Sequence, residues 1–216
     1  MNIILFGPPG AGKGTQGDNL VRDFSLIKIS TGDLLRDEIN KKNTLGNEID
    51  TLINKGSFVP DKIINNLIEN LFLNKNYVNR FIFDGYPRNL SQLENLNILL
   101  KKYNQKISLV INLNVDLEIL TKRILGRLTC SKCGSVFNKF YNPPNENNHS
   151  CELKFLQIRS DDNAEIIKNR FSTYIKETKP VMDYYKKQNL LHVIDGKNEI
   201  SFIYKEICRI ITSIET

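Results

Sequence analysis

Short apolar runs alternate with longer amphipathic stretches along most of this 216-residue chain. The runs have the length and the flanking turn residues of buried strands, whereas the longer stretches repeat apolar residues at helical spacing. Alternation of this kind predicts βαβ units, a parallel sheet and helices on both faces of that sheet, which is an α/β fold. The predicted strands cover residues 2–6, 26–30, 80–85, 107–115 and 190–195.

Two segments interrupt this alternation. Residues 30–59 are rich in helical patterns, and Ser30 or Thr31 is the expected N-cap of the first helix there. Residues 126–162 contain three of the four cysteines and show no helical period. Both segments fall where the sheet needs loops, so we expect each to form a separate excursion from it.

A long helix is predicted to follow the second segment, up to about residue 187. Asp162 and Glu165 have the D-x-x-E spacing of a helix-capping box. Pro180 lies within the helical pattern and lacks an amide hydrogen, so we expect a kink near it.

Composition narrows the class of protein. The chain is 40% apolar and 25% charged, which is ordinary for a globular protein. It has no apolar run of the roughly 18 residues that a membrane helix needs, and its first apolar stretch is too short for a signal peptide. Clustered rather than dispersed cysteines favour a reducing compartment. We therefore expect a cytoplasmic protein without membrane association. The net charge of +6 indicates either a lysine-rich solvated surface or attraction to anions.

A glycine-rich loop follows the first predicted strand. The segment "GPPGAGKGT", residues 7–15, fits G-x-x-x-x-G-K, with Gly14 between Lys13 and Thr15. Its glycines allow backbone amides to converge on phosphate oxygens, and the helix that begins there adds the positive end of its dipole. A turn without a ligand is the alternative, but the position between a strand and a helix favours a nucleotide-phosphate site. Its candidate residues are Gly10, Ala11, Gly12, Lys13, Gly14 and Thr15.

An aspartate ends the third predicted strand. In P-loop proteins an aspartate such as Asp84 can hold Mg²⁺, directly or through water, although Asp-Gly also ends strands for turn reasons. Arg88 follows just beyond the same strand, on the expected ligand side of the sheet.

More arginines stand at the predicted junctions of loops and helices. Arg123 and Arg127 are four residues apart, so they are expected to share one helix face. Arg159 and Arg170 flank the start of the long predicted helix. So many cations exceed the need of one bound nucleotide and suit phosphoryl transfer between two phosphorylated molecules.

Several motifs in the same order carry a resemblance to a known family. They are "GPPGAGKGTQ", "STGDLLR", "DGYPRNLSQ", "RILGR", "FYNPP", "RSDD" with "IIKNRF", and "KPVMDYY". At these residues the sequence resembles the bacterial-type, long-form adenylate kinases. The resemblance implies a P-loop three-layer fold with a five-stranded parallel sheet and two lobes. Its core would comprise 1–29, 60–125 and 163–216, its helical AMP-binding lobe 30–59, and its small β-rich LID 126–162.

The resemblance also implies an activity and site residues. The activity is reversible, Mg²⁺-dependent transfer of the ATP γ-phosphoryl group to AMP, which gives two ADP, by a monomer. The catalytic charges would be Lys13, Asp84 (through a Mg²⁺-bound water), Arg88, Arg123, Arg127, Arg159 and Arg170. ATP would contact residues 10–15, Arg127, Val136, Phe137, Tyr141 and Asn198. AMP would contact Thr31, Arg36, Ser57, Phe58, Val59, Gly85, Tyr86, Pro87, Arg88, Gln92, Arg159 and Arg170. Leu128 departs from the family, which often has a second arginine there.

The LID segment contains an incomplete metal-binding pattern. Cys130 and Cys133 form one C-x-x-C pair, but only Cys151 stands where zinc-bearing members have a second pair. His149 is the nearest good candidate for the fourth ligand, because Zn²⁺ accepts three cysteines and one histidine. We therefore expect a structural Zn²⁺. A metal-free LID held by packing and a redox pair are the alternatives.

Two other functions compete with this interpretation. A nucleoside-monophosphate kinase with another base preference, such as a GTP user, would share the same motifs. A nucleic-acid-binding zinc protein would explain the net charge of +6 and the C-x-x-C pair. That hypothesis leaves the P-loop, Asp84 and the arginines without a role. We therefore expect ATP, AMP and ADP as partners, and no nucleic acid.

Overall fold

A parallel sheet of five strands forms the centre of the molecule, as the sequence predicts. The computed structural model describes residues 1–54, 59–73 and 78–215. The strands are β1 (Ile3–Phe6), β2 (Ile27–Ser30), β3 (Phe81–Asp84), β4 (Leu109–Asn114), β5 (Arg127–Cys130), β6 (Val136–Asn138), β7 (Leu156–Gln157) and β8 (Leu191–Asp195). The central sheet has the order β2-β3-β1-β4-β8, and all its neighbouring pairs are parallel. The carboxyl ends of its strands therefore meet at one edge, where ligands of such sheets bind.

Helices supply the crossovers between these strands. They are α1 (Lys13–Phe24), α2 (Thr31–Asn40), α3 (Thr44–Asn54), α4 (Asp61–Phe72), α5 (Leu90–Lys102), α6 (Leu117–Leu125), α7 (Ala164–Thr173), α8 (Lys179–Lys187) and α9 (Ile200–Glu215). Ser30 is the N-cap of α2, because its side chain accepts a hydrogen bond from the Asp33 amide. Within the described parts of the chain, no helix is both long and apolar enough to cross a bilayer.

Both faces of the sheet are buried. Ile4 belongs to a cluster that includes residues of α4, α5 and α8, whereas Ile3 and Leu5 belong to a second cluster with residues of α1, α6 and α9. Consecutive strand side chains point to opposite faces, so a strand covered on both sides reads as a continuous apolar run. This is why the strands are short runs such as "IILF" rather than alternating patterns.

The first excursion from the sheet is the hairpin of α2 and α3. Glu38 is buried at its turn, where its carboxylate accepts hydrogen bonds from Lys41 (2.6 Å) and Asn43 (3.0 Å). Asn43 also accepts a bond from the Gly46 amide at 2.7 Å. A Cβ atom at Gly46 would lie 2.5 Å from the Glu38 carbonyl oxygen, so the two helices approach closely only because residue 46 is glycine.

The second excursion is a small antiparallel sheet with the order β6-β5-β7. It begins directly after α6, and a short 3-10 helix, Leu153–Phe155, precedes its last strand. The cysteine-rich segment is therefore β-rich, as expected. Leu128 lies in β5 opposite Phe137, at the position where the family often has arginine.

The long helix predicted to follow is divided, and its predicted cap is wrong. Asn163 is the N-cap of α7, since its side chain accepts a hydrogen bond from the Ile166 amide. Asp162 instead forms an ion pair with Arg127. A π-helical turn, Tyr174–Thr178, separates α7 from α8, near the predicted kink. Pro180 has no amide hydrogen to continue the α-helical ladder, which explains why the break lies just before it.

The cap yields a stability prediction. Replacement Asn163→Ala removes the acceptor for the Ile166 amide and should lower the free energy of unfolding by about 1 kcal/mol. In a chain of this length, that corresponds to a melting temperature lower by about 2–4 °C. Thermal unfolding followed by circular dichroism measures the shift. Asn163→Asp, which keeps a capping oxygen, is the matched control, and an equal loss in both variants would contradict the cap.

Candidate active site

A cavity of about 1070 Å³ lies at the carboxyl edge of the central sheet. It is lined by the glycine-rich loop, the end of β3, α6, the small antiparallel sheet and α7. A volume of this size exceeds that of most drug-sized ligand pockets, so the cavity has room for more than one small molecule.

The glycine-rich loop connects β1 to α1 and forms one wall of the cavity. Gly10 and Gly12 have φ angles of +83° and +98°, a backbone region that glycine adopts without strain. A Cβ atom at residue 10 would also lie 2.7 Å from Ile124 Cγ1. Gly12, the N-cap of α1, has no side chain to cap the first amides of this helix, which begins at Lys13. These amides and the helix dipole therefore form a site suited to an anion.

Lys13 lies in the middle of this wall. Its ammonium group donates hydrogen bonds to the carbonyl oxygens of Gly7 (2.8 Å) and Pro8 (3.2 Å). Burial lowers the pKa of Lys13 to about 8; Asp84 opposes the shift, and nearby arginines, Arg88 first, add to it. The lysine is thus a cation whose charge a bound phosphate would stabilise.

Asp84 ends β3 and lines the same cavity. A Cβ atom at Gly14 would lie 3.9 Å from Asp84 Oδ2, so this carboxylate faces the first turn of α1. Gly14, which departs from the strict P-loop pattern, leaves the space between the helix and the carboxylate open.

Arginines surround the remainder of the cavity. Arg36, Arg88, Arg123, Arg127, Arg159 and Arg170 all line it. Burial, followed by repulsion from Arg170, lowers the pKa of Arg88 to about 10. Burial, followed by repulsion from Arg127, lowers the pKa of Arg159 to about 10. Like charges at such density repel one another, and polyphosphate is a ligand that relieves the repulsion.

Arg123 and Arg127 come together differently from the prediction. α6 ends at Leu125, so Arg123 lies in its last turn while Arg127 is the first residue of β5. They do not share a helix face, although both line the cavity. Gly126 is the C-cap of α6, so the helix ends two residues before Arg127.

Acidic partners that the sequence analysis missed hold several of these arginines. Arg127 pairs with Asp162, and Arg170 pairs with Asp161. Burial raises the pKa of the Asp161 carboxyl, whereas the neighbouring arginines lower it, and the net shift is downward. The "RSDD" motif was the available signal, because two adjacent aspartates beside an arginine-rich site indicate ion pairs.

A compact network surrounds Arg88. Its guanidinium donates to the Gly85 carbonyl (2.8 Å) and to Thr31 Oγ1 (2.9 Å), and its amide donates to Gln92 Oε1 (2.8 Å). Gly85 has a φ of +75°, and a Cβ atom there would lie 3.1 Å from the Arg88 guanidinium. The chain therefore requires glycine beside this arginine.

The other residues expected to contact AMP are placed as follows. Arg36, Gly85 and Pro87 line the cavity with Arg88. Thr31, Val59, Tyr86 and Gln92 are buried behind that wall, so their side chains are not part of it. Ser57 and Phe58 lie outside the described residues.

The residues expected to contact ATP beyond the glycine-rich loop line another part of the cavity. Val136, Phe137, Tyr141 and Asn198 line the cavity, from the small sheet and the turn after β8. The Arg123 guanidinium lies 5.6 Å from the centre of the Tyr141 ring. Arg123 also donates to the Gly196 carbonyl at 2.8 Å, which joins α6 to the turn after β8.

The cysteine cluster lies at the tip of the small sheet. Ligand atoms of Cys130, Cys133, His149 and Cys151 all lie within 4.8 Å of one another. Both ring nitrogens of His149 are buried without a hydrogen-bond partner among the described residues, while its ring packs edge-on against Phe137 at 4.8 Å. Contact with Ser135 lowers the pKa of Cys133 to about 6. Three thiols and an unpaired imidazole have the composition of a tetrahedral zinc site.

The fold and the cavity together define a P-loop nucleoside-monophosphate kinase, which is a phosphotransferase. The sequence model of the family "Adenylate kinase" matches residues 5–190. Curated proteins named adenylate kinase are similar over nearly their whole length. That of Pelagibacter ubique is 47% identical over 211 residues, covering 98% of this chain and 99% of the relative. Those of Methanosarcina barkeri and Archaeoglobus fulgidus are 42% and 39% identical, with 96% and 100% of both chains covered. The chain belongs to the adenylate kinase family.

The lowered pKa of Lys13 yields a prediction on pH. Bound phosphates stabilise the ammonium form, so nucleotide binding should raise this pKa from about 8 and take up a proton. Below about pH 7 the lysine is protonated in both the free and the nucleotide-bound protein, so this group makes ATP affinity independent of pH there. As the pH rises through 8 to 10, ATP affinity should fall. Calorimetry at pH 8.5 in buffers of different ionisation enthalpy measures the uptake.

Two variants complete that experiment. Lys13→Met should abolish the uptake, while Lys102→Met, which breaks a surface ion pair with Glu69, should leave it intact. A binding heat that does not depend on the buffer in the parent protein would contradict the assignment.

Proposed function

We propose that this protein transfers the γ-phosphoryl group of Mg²⁺-bound ATP to AMP, reversibly, giving two ADP. The observation that carries the proposal is the convergence of Lys13, Asp84 and the arginines on one cavity at the N-terminus of α1. No nucleophilic side chain is needed, because phosphoryl transfer depends on positioning and on stabilising charge.

The donor nucleotide occupies the P-loop end of the cavity in this proposal. The amides of residues 10–15 bind its phosphates, and Lys13 leaves the Gly7 carbonyl to bind a β- or γ-phosphate oxygen. The base lies near Val136, Phe137 and Tyr141, and Asn198 lines the same cavity.

The acceptor nucleotide occupies the end of the cavity at β3. Arg36 and Arg88 bind the AMP phosphate, and the backbone at Gly85 and Pro87 lies beside the nucleoside. Arg123, Arg127, Arg159 and Arg170 stand between the two nucleotides and stabilise the charge of the transferred group. Asp161 and Asp162 orient two of these arginines before substrate arrives.

Asp84 is proposed to hold the water shell of Mg²⁺. Its carboxylate faces the first turn of α1, where the donor phosphates would bind, and oxygen is the ligand that Mg²⁺ prefers. An ion held by Asp84 would neutralise part of the charge on the donor phosphates.

We also propose that the cysteine cluster holds a structural Zn²⁺, with His149 as the fourth ligand. The two buried, unpaired ring nitrogens of His149 support this set, because a buried imidazole without a partner is costly. The four candidate ligands would fill a tetrahedral site and leave no open position for a substrate or water. A structural role therefore fits better than a catalytic one.

A monomeric state, a cytoplasmic location and the absence of nucleic-acid and membrane partners stay predictions. The alternative of a kinase with another base preference, such as one that uses GTP, shares every phosphate contact. It differs only in a few contacts with the bases.

A coupled assay with paired donors and acceptors tests the function. The parent protein should use ATP with AMP, and Lys13→Met should reduce turnover by several orders of magnitude while the fold, followed by circular dichroism, is unchanged. Activity with GMP or UMP but not AMP would select the alternative kinase. Near-normal turnover of Lys13→Met would refute the phosphate role of the lysine.

Elemental analysis and one substitution test the zinc site. The purified protein should contain about one zinc per chain. Replacement Cys133→Ser should lower the melting temperature far more than it lowers turnover at low temperature, because structural zinc supplies about 10–16 kcal/mol of apparent binding energy in isolated knuckles.

The chain provides a matched control for that substitution. Cys208 lies in α9, outside the cluster, so Cys208→Ser should keep the zinc and the parental melting temperature. His149→Ala should lower zinc affinity if the imidazole is the fourth ligand. A zinc-free parent, or equal melting temperatures for Cys133→Ser and the parent, would favour the metal-free LID.

A further inference from the structure

The main chain at Arg88 is held by one local contact and one contact that is distant in sequence. Arg88 lies in the irregular segment between β3 and α5, so no regular backbone ladder fixes it. Its amide donates to Gln92, but its carbonyl oxygen accepts a hydrogen bond from Thr178 Oγ1 at 2.8 Å, from 90 residues further along the chain. Thr178 is 3% exposed, which places this bond away from bulk water.

The π-helical turn Tyr174–Thr178 is itself anchored. Tyr174 donates a hydrogen bond from its hydroxyl to Asn112 Oδ1 at 3.0 Å, and Asn112 belongs to β4 of the central sheet. Burial raises the pKa of the Tyr174 hydroxyl, so it remains a donor. The turn is thus tied at its start to the sheet and at its end to Arg88. Turns of this kind are rare in helices and often occur at functional sites.

Electrostatics explains why such an anchor is needed. Burial and the charge of Arg170 both disfavour the charged form of the Arg88 guanidinium. The two hydrogen bonds that this side chain donates go to uncharged acceptors, Gly85 and Thr31. Mutual repulsion would move the guanidinium outward until a phosphate binds. A fixed main chain limits this movement.

We propose that Thr178 is a positioning residue for Arg88: its hydroxyl holds the Arg88 carbonyl and thereby fixes the guanidinium for the acceptor phosphate. This inference rests on the proposed role of Arg88 in AMP binding. Thr178 also lines the cavity, but the role assigned here is carried by its bond to the main chain and not by contact with substrate.

Paired substitutions test the proposal. Thr178→Val removes the hydroxyl at nearly constant shape and should raise the KM for AMP by about three- to tenfold, the size of one lost hydrogen bond. The KM for ATP should change by less than about twofold, because the donor end does not depend on Arg88. Thr178→Ser keeps the hydroxyl and should restore the KM for AMP to within about twofold of the parent.

A second pair guards against misfolding of the valine variant. Thr178→Ala and Thr178→Ser differ only by the hydroxyl, and the same difference in the KM for AMP is expected between them. Thr121→Val is the matched control, since the Thr121 hydroxyl bonds the Leu117 carbonyl inside α6 at 2.8 Å. It should leave both KM values unchanged.

A double-mutant cycle shows whether Thr178 acts through Arg88. In an Arg88→Lys background, loss of the Thr178 hydroxyl should change the KM for AMP by less than about twofold. The proposal would be overturned if loss of the Thr178 hydroxyl raised the KM for AMP as much in the Arg88→Lys protein as in the parent. Equal AMP kinetics in Thr178→Ala and Thr178→Ser would also overturn it. A parent protein inactive with ATP and AMP would instead contradict the proposed function, so the two failures are distinguishable.

Discussion

Repulsion among buried cations is the constraint on which the rest of this site depends. Lys13 and the arginines face one cavity, and burial together with their mutual repulsion lowers the pKa values of Lys13, Arg88 and Arg159. An array of this kind destabilises the empty protein through repulsion between its charges. Bound phosphates relieve that repulsion, and this relief contributes to the binding free energy. Acidic partners such as Asp162 reduce the repulsion without removing it.

The scaffold holds these cations in place through the elements that surround the cavity. The parallel sheet is buried on both faces, and its strand ends present the glycine-rich loop and Asp84 at one edge. Main-chain oxygens hold two of the positively charged side chains: Gly7 accepts from Lys13, and Gly196 accepts from Arg123. Neutral acceptors orient a cation and leave its charge available to the ligand.

The small antiparallel sheet meets a different constraint, because it is too short to bury a core of its own. Its tip contains three cysteines and His149, with the imidazole packed against Phe137 of β6. Phe137 is buried and also lines the cavity at the edge of the central sheet, so the cluster and the cavity share one strand. A metal bound at the tip would stiffen this wall of the cavity.

Local pattern determined the strands, most of the helices, the P-loop and the cysteine spacing, because each depends on neighbours within a few residues. Tertiary contacts decided what the pattern could not. Asn163 rather than Asp162 caps α7, since Asp162 is drawn to Arg127, a residue 35 positions away. Likewise the approach of His149 to Cys130 and Cys133, and of Thr178 to Arg88, depends on how separate segments fold onto one another. Sequence spacing does not determine those distances, because residues this far apart in the chain can lie close together or far apart in the fold.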